Sequence, residues 1–112
     1  MTTLYDQLSG ELFDTLKGFG YLLSIYDDKG NRIFAPTKAR RIFCQPDKMM
    51  ISLDKNGDDS EVKMYLSKDT SIKSKEKLIS TLRNLCTRYN VLFNVRKYGK
   101  YLSPKDFAYR SI

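Results

Sequence analysis

The stretch RNLCTRYNVLFNVRKYGKYLSPKDFAYR, residues 83–110, interleaves seven basic residues with tyrosine and phenylalanine. Cations of this kind replace the counterions of a phosphate backbone, and aromatic rings offer faces on which the bases of a single strand stack. The side chains that could supply both are Arg83, Arg88, Arg96, Lys97, Tyr98, Lys100 and Tyr101. The pattern matches no specific nucleic-acid-binding motif. In the alternative interpretation, the basic residues keep a strand edge soluble and the tyrosines bury their rings.

A second basic segment, KARR at residues 38–41, lies between two predicted hairpins. An arginine presents paired N–H groups that can bind a phosphate or a carboxylate at two points. Arg40 and Arg41 are therefore also candidate binding residues. The alternative is an exposed loop whose charges only meet water.

Catalytic and metal-binding patterns are weak. The sequence contains no histidine, which excludes the usual histidine-based pairs and triads. The carboxylate pairs at 27–28 and 58–59 fall in predicted turns, whereas acid–base catalysis needs carboxylates that converge in a cleft. DKNGDD, residues 54–59, resembles a calcium loop, but Asp59 stands where that loop needs glycine and Tyr65 where it needs glutamate. We expect neither an enzyme nor a cofactor or metal site.

The two cysteines, Cys44 and Cys86, are 42 residues apart with no further cysteine in the chain. A tetrahedral zinc site needs about four sulfur or imidazole ligands. We therefore expect both thiols to be reduced, buried and without metal.

The net charge of +7 is concentrated in one half of the chain. Residues 1–60 contain 8 basic and 9 acidic residues, whereas residues 61–112 contain 12 basic and 4 acidic residues. A one-sided positive field attracts polyanions or acidic protein surfaces. The charge does not distinguish phosphate from carboxylate.

The 112 residues are enough for one domain, 1–112, with its own core. The early acidic residues Asp6, Glu11 and Asp14 do not fit a signal peptide, and the apolar runs are too short for a membrane span. We therefore expect a cytoplasmic protein with no membrane contact.

Two amphipathic helices are predicted. Apolar residues at spacings of three and four form one stripe near the start of the chain: Leu4, Leu8, Leu12, Leu16 and Phe19. Thr3 with Asp6 has the pattern of a helix N-cap. A second stripe comprises Leu78, Ile79, Leu82, Leu85, Cys86 and Tyr89, and Asn90 is the expected stop.

Between and after the helices, the alternation of apolar and polar residues predicts β-strands. Residues 21–35 and 49–67 have the pattern of hairpins. Residues 91–102 have the pattern of a last strand or strand pair, with a bulge or turn at residues 98–100. The segment TKARRIF, residues 37–43, fits either a helical turn or an extended strand. Ser103, Pro104 and Asp106 predict a short helical turn. The order favours an α+β fold: a mainly antiparallel sheet of about five strands with two helices packed on one face.

ARRIF, MMISLD and YNVLFNVRKYGKYLSPKDFAY together resemble small uncharacterised proteins of tailed bacteriophages, especially those of cyanobacteria. The ending from Pro104 to Tyr109 is the most specific part. The resemblance implies a phage accessory protein or virion component made in a bacterial cytoplasm, and it implies no activity.

These observations favour a small basic accessory protein that binds nucleic acid or a nucleoprotein through its C-terminal half. The alternative is a protein-interaction module that binds an acidic protein surface, as an inhibitor or adaptor of a host protein or as a minor virion component.

Overall fold

The computed structural model describes residues 3–56 and 59–106, with the side chains of Asn56 and Asp59 excepted. It begins with helix α1, Leu4–Gly18, in which the Asp6 amide donates to the Thr3 hydroxyl at 3.0 Å. The predicted role of the Thr3 hydroxyl as N-cap is therefore confirmed, whereas the Asp6 carboxylate accepts from Lys38 and Arg40. The chain leaves the helix through Gly20, whose φ of +94° is a conformation that suits glycine.

Six strands form one sheet in the order β2-β1-β3-β4-β5-β6. They are β1 Leu22–Tyr26, β2 Arg32–Ile33, β3 Arg41–Gln45, β4 Met49–Asn56, β5 Asp59–Leu66 and β6 Leu92–Lys97. Neighbours are antiparallel except β5 and β6, which are parallel. The predicted α+β fold is confirmed. The strand beyond the expected five is β3, which lies largely in the segment that the sequence left ambiguous, whereas β1 and β2 form the first predicted hairpin.

The parallel pair follows from helix α2, Glu76–Arg88, which returns the chain across the sheet before β6. A parallel neighbour needs such a crossover, usually a helix. The helix ends before Asn90, which has a φ of +58° and is the stop that the sequence predicts. Short 3₁₀ turns occupy Pro36–Lys38, Lys73–Lys75 and Pro104–Asp106. The ambiguous segment 37–43 thus contains both structures, a turn and then strand β3.

Both helices pack on the same face of the sheet. The stripes of α1 and α2 join alternate residues of the strands in one core, and Phe93 and Val95 pack against it from β6. Cys44 and Cys86 lie inside this core as free, buried thiols. Burying such stripes is the main source of stability for a fold of this kind.

The opposite face has a smaller apolar cluster. Phe43, Met50 and Tyr65 are covered there by Leu102, and Tyr98 packs beside them. The segment that carries Leu102 is held by Ser67, whose hydroxyl donates to the Lys48 carbonyl and accepts the Leu102 amide at 2.8 Å. We call this group the outer cluster.

Within residues 3–56 and 59–106, the structure contains no helix with the length and apolarity that a membrane crossing requires.

Candidate functional site

A half-exposed tyrosine marks one end of the sheet. The ring of Tyr101, 54% exposed, lies under the ammonium groups of Lys48 and Lys68, at 5.1 and 5.9 Å from its centroid. Lys48 comes from the turn between β3 and β4, and Lys68 follows β5. We call these three residues the Tyr101 cluster.

Two of the sequence-predicted lysines belong to the same end of the sheet. The Lys100 carbonyl accepts the Lys68 amide at 2.8 Å, so the two backbones lie side by side. Lys97 ends β6, opposite Leu66 in the parallel register. The structure therefore brings Lys97, Lys100 and Tyr101 together, and it adds Lys48 and Lys68, which the sequence did not point to.

Local contacts tie several of these side chains. Lys100 pairs with Asp106 at 2.7 Å, and the Lys97 ammonium donates to the Thr70 carbonyl. The Tyr101 hydroxyl donates to Asp69, and that carboxylate raises the pKa of Tyr101. The Lys100 ammonium holds the pKa of Asp106 below its usual range. These bonds fix the positions of the groups, while Tyr101 as a whole residue remains about half exposed.

Tyr98 and Arg96 lie on the outer face. Tyr98 is half-buried and meets the Tyr65 ring edge to face, with centroids 5.3 Å apart. Arg96 is exposed and stands opposite Tyr65 in register. Tyr98 therefore contributes to packing, whereas Tyr101 has the more exposed ring.

Arg83 and Arg88 are exposed on α2, which belongs to the helix layer. The Arg83 guanidinium lies 5.5 Å from the ring of Phe93, a residue that faces the helix side of the sheet. These two arginines are therefore separated by the sheet from Arg96. The predicted basic residues occupy two sides of the molecule and do not form one patch.

Arg40 and Arg41 lie at the opposite end of the sheet, in an open groove of about 1330 Å³ between the start of α1 and the ends of β3, β4 and β5. Six basic and three acidic residues are among the described residues that line it. Its positive excess makes it a second candidate for binding anions.

Two cations of this groove already pair with a buried carboxylate of the protein. The carboxylate of Asp6, only 3% exposed, accepts from Lys38 at 2.7 Å and from Arg40 at 2.8 Å. These two bonds hold the pKa of Asp6 well below its usual range. The Arg40 guanidinium also lies 5.0 Å from the ring of Tyr5. Arg40 is thus engaged by the protein itself, between α1 and β3.

In the rest of the groove, the cations lie farther from their carboxylate partner. Arg41, Ser52 and Lys63 are direct neighbours across β3, β4 and β5. Asp54 lies 3.8 Å from Arg41 and 3.5 Å from Lys63, beyond the roughly 2.7–2.9 Å of a strong charge-assisted hydrogen bond. The Ser52 hydroxyl donates to Asp54 at 2.9 Å.

Two polar atoms in this groove are buried without a hydrogen-bond partner in the described protein: Nε of Arg41 and the hydroxyl of Tyr5. Burial and the nearby Asp54 carboxylate raise the pKa of Tyr5 far above its usual value, so the phenol remains a donor at neutral pH. A buried donor without an acceptor costs about 1–3 kcal/mol. The sequence pattern did not point to Tyr5, because one tyrosine in an amphipathic helix matches no binding motif.

In residues 3–56 and 59–106, no three cysteine, aspartate or glutamate side chains are placed to hold a metal ion together. Residues 107–109, the end of the PKDFAY segment, and residues 57–58, where the sequence predicts a turn, lie outside the described residues.

Comparisons with known proteins gave no match to a family model, to a curated protein or to a solved structure.

Proposed function

We propose that the chain binds single-stranded nucleic acid at the Tyr101 cluster. The observation that carries the proposal is the half-exposed ring of Tyr101 beneath two lysine ammonium groups, Lys48 and Lys68. A base stacks on an aromatic ring whatever its identity, and lysines beside the ring neutralise the flanking phosphates.

The surroundings favour an anionic strand. Lys97 and Lys100 extend the positive end beyond the cluster, while Asp69 and Asp106 offset part of it. The 3₁₀ turn Lys73–Lys75 and the first turn of α2 add the exposed cations Lys73 and Lys77 to the same half of the chain. With few contacts of this kind, we expect weak binding that depends on salt and little on base sequence.

The test is a fluorescence-anisotropy titration with a labelled oligothymidine at several salt concentrations. Tyr101→Ala should weaken binding by about 1–3 kcal/mol, the usual contribution of one stacked base. Lys68→Gln should flatten the logarithmic salt dependence by about 0.7, one phosphate contact of a single strand.

The matched control is Lys17→Gln, which removes one exposed charge from the last turn of α1 without touching the cluster. Equal losses from Lys17→Gln and Lys68→Gln would show diffuse attraction and no site at Tyr101. Absence of binding at low salt would refute nucleic-acid binding altogether.

The second candidate function is recognition of an acidic protein surface, as by an adaptor or inhibitor of a host protein. The observation that favours it is the distribution of Arg83 and Arg96 on opposite sides of the sheet, which a single short strand would not cover. A chain that binds no oligonucleotide, yet loses binding to an acidic protein when Arg83 and Arg88 are neutralised, would support this function. The phage origin suggested by the sequence motif fits either function and remains a prediction.

A further inference from the structure

We propose that the groove around Arg41 and Tyr5 is a second binding site, for an oxyanion group, phosphate or carboxylate, of a small ligand. The inference goes beyond the proposed function because this groove and the Tyr101 cluster lie at opposite ends of the sheet. Its basis is geometry: orphaned donors, loosely held cations and room for a ligand occur in one place.

The donors come first. Arg41 has five N–H groups, and among the residues that the structure describes one of its Nη atoms donates to the Arg40 carbonyl at 3.2 Å. Its Nε is buried and unpaired, and so is the hydroxyl of Tyr5. Folded proteins satisfy nearly all buried polar groups, so each unpaired donor calls for an acceptor. Phosphate and carboxylate oxygens are acceptors of the right charge.

The cations come second. Lys63 lies two strands from Arg41, with Ser52 between them, and contacts Asp54 and Glu61 only at 3.5 and 3.7 Å. By contrast, Asp6 holds its two cations at 2.7 and 2.8 Å. Arg41 and Lys63 are therefore the groove cations whose carboxylate contacts are loose enough to be exchanged for a ligand.

Access comes third. The Arg41 side chain is 12% exposed, so it borders the groove and is not sealed in the core. With its edge toward the groove, the guanidinium would donate two parallel N–H bonds to two oxygens of one phosphate or carboxylate group. The groove volume of about 1330 Å³ leaves space for the remainder of a small ligand.

The experiment is a thermal-unfolding titration with inorganic phosphate, and in a separate arm with acetate, each compared with sodium chloride at equal ionic strength. The arms distinguish a phosphate site from a carboxylate site. We expect a saturable rise of the melting temperature with one oxyanion beyond the chloride effect. Identical curves for phosphate, acetate and chloride would overturn the proposal and indicate that water alone satisfies the two donors.

Variants then locate the site. Arg41→Gln should raise the half-saturating oxyanion concentration about tenfold or more, since charge-assisted hydrogen bonds are lost. Arg83→Gln is the matched control, an exposed arginine on α2 outside the groove, and should leave it unchanged. Equal responses of the two variants would refute the site. If Arg41→Gln does not fold, Lys63→Gln replaces it.

Tyr5→Phe gives an independent signature, because it removes only the orphaned hydroxyl. Without ligand, the melting temperature should rise, and the half-saturating concentration should rise about threefold or more. A higher melting temperature with unchanged oxyanion affinity would mean that the hydroxyl is merely a packing defect, and would refute its part in the site. Oligonucleotide binding by Arg41→Gln should equal that of the unchanged protein, because the Tyr101 cluster lies at the other end of the sheet, and this result keeps the test separate from the proposed function.

Discussion

Replacing Asp6 by asparagine should lower the free energy of unfolding by about 2 kcal/mol at neutral pH. Asp6 joins α1 to the segment before β3, since its carboxylate accepts from both Lys38 and Arg40. Asparagine keeps the size of the side chain but removes the charge. The Thr3 cap is untouched, because Thr3 bonds the Asp6 backbone amide.

The magnitude follows from the burial of the three partners. Removing one member of a buried ion pair costs about 3–5 kcal/mol, whereas an exposed pair contributes under about 1 kcal/mol. Here the carboxylate is 3% exposed, but the side chain of Lys38 is 61% exposed and is hydrated once freed. Only Arg40 is left partly buried without its carboxylate, which places the loss between the two limits.

The same ion pair predicts a pH dependence with a definite sign. The pKa of Asp6 in the folded protein lies well below its ordinary value of 3.8, because Lys38 and Arg40 bond the charged form. This stabilisation is complete above the unfolded pKa and is lost as the pH falls through the folded one. The difference in stability between wild type and Asp6→Asn should therefore be constant above about pH 5 and should shrink below about pH 4.

Urea unfolding followed by circular dichroism, at pH 7 and near pH 3, measures both quantities. Asp14→Asn is the matched control, an exposed carboxylate on the same helix, and should change stability by less than about 0.5 kcal/mol. A loss at Asp6 no larger than at Asp14, or a difference that does not shrink in acid, would show that the ion pair contributes nothing to the fold.

Further outcomes concern the core and the outer cluster. Leu82→Ala should cost about 2–5 kcal/mol in urea unfolding, because Leu82 is fully buried between α2 and the sheet; a cost below about 0.5 kcal/mol would contradict that packing. A thiol reagent should label the folded protein only on unfolding, since burial raises the pKa of Cys86 to about 12 and that of Cys44 also. Ser67→Ala should cost about 1–3 kcal/mol and speed hydrogen exchange of the Leu102 amide; unchanged exchange would show that Ser67 is not its anchor.

The elements could be predicted from the sequence because each is a local pattern. The stripe of Leu78, Leu82 and Leu85 specifies a helix with one apolar face, and the structure buries that face. Alternation around Ile51 and Met64 likewise specifies strands, which pair as predicted. The parallel pairing of β6 with β5 was not predictable in this way. Alternating apolar residues show which side chains face the core, but they do not show which strand lies next to which.

The binding surfaces could be predicted only in part. Lys97, Lys100 and Tyr101 share one short segment, so composition pointed to them together. Lys48 and Lys68 come from two other turns, and only the register of the sheet brings them to Tyr101. Spacing along the chain contains no information about such contacts. For the same reason the sequence did not indicate that Tyr5 and Arg41 line the same groove.

The parallel strand at the edge of the sheet has a consequence for the order of events during synthesis. Residues 67–91 separate β5 from β6, so the five antiparallel strands β1–β5 can pair while β6 is still inside the ribosome. During that interval the outer edge of β5, with the apolar Val62 and Met64, is unpaired. An open edge of this kind is a template for pairing with another nascent chain. Arrival of β6 closes this edge, and a chain truncated before residue 92 should therefore aggregate more than residues 1–112 do.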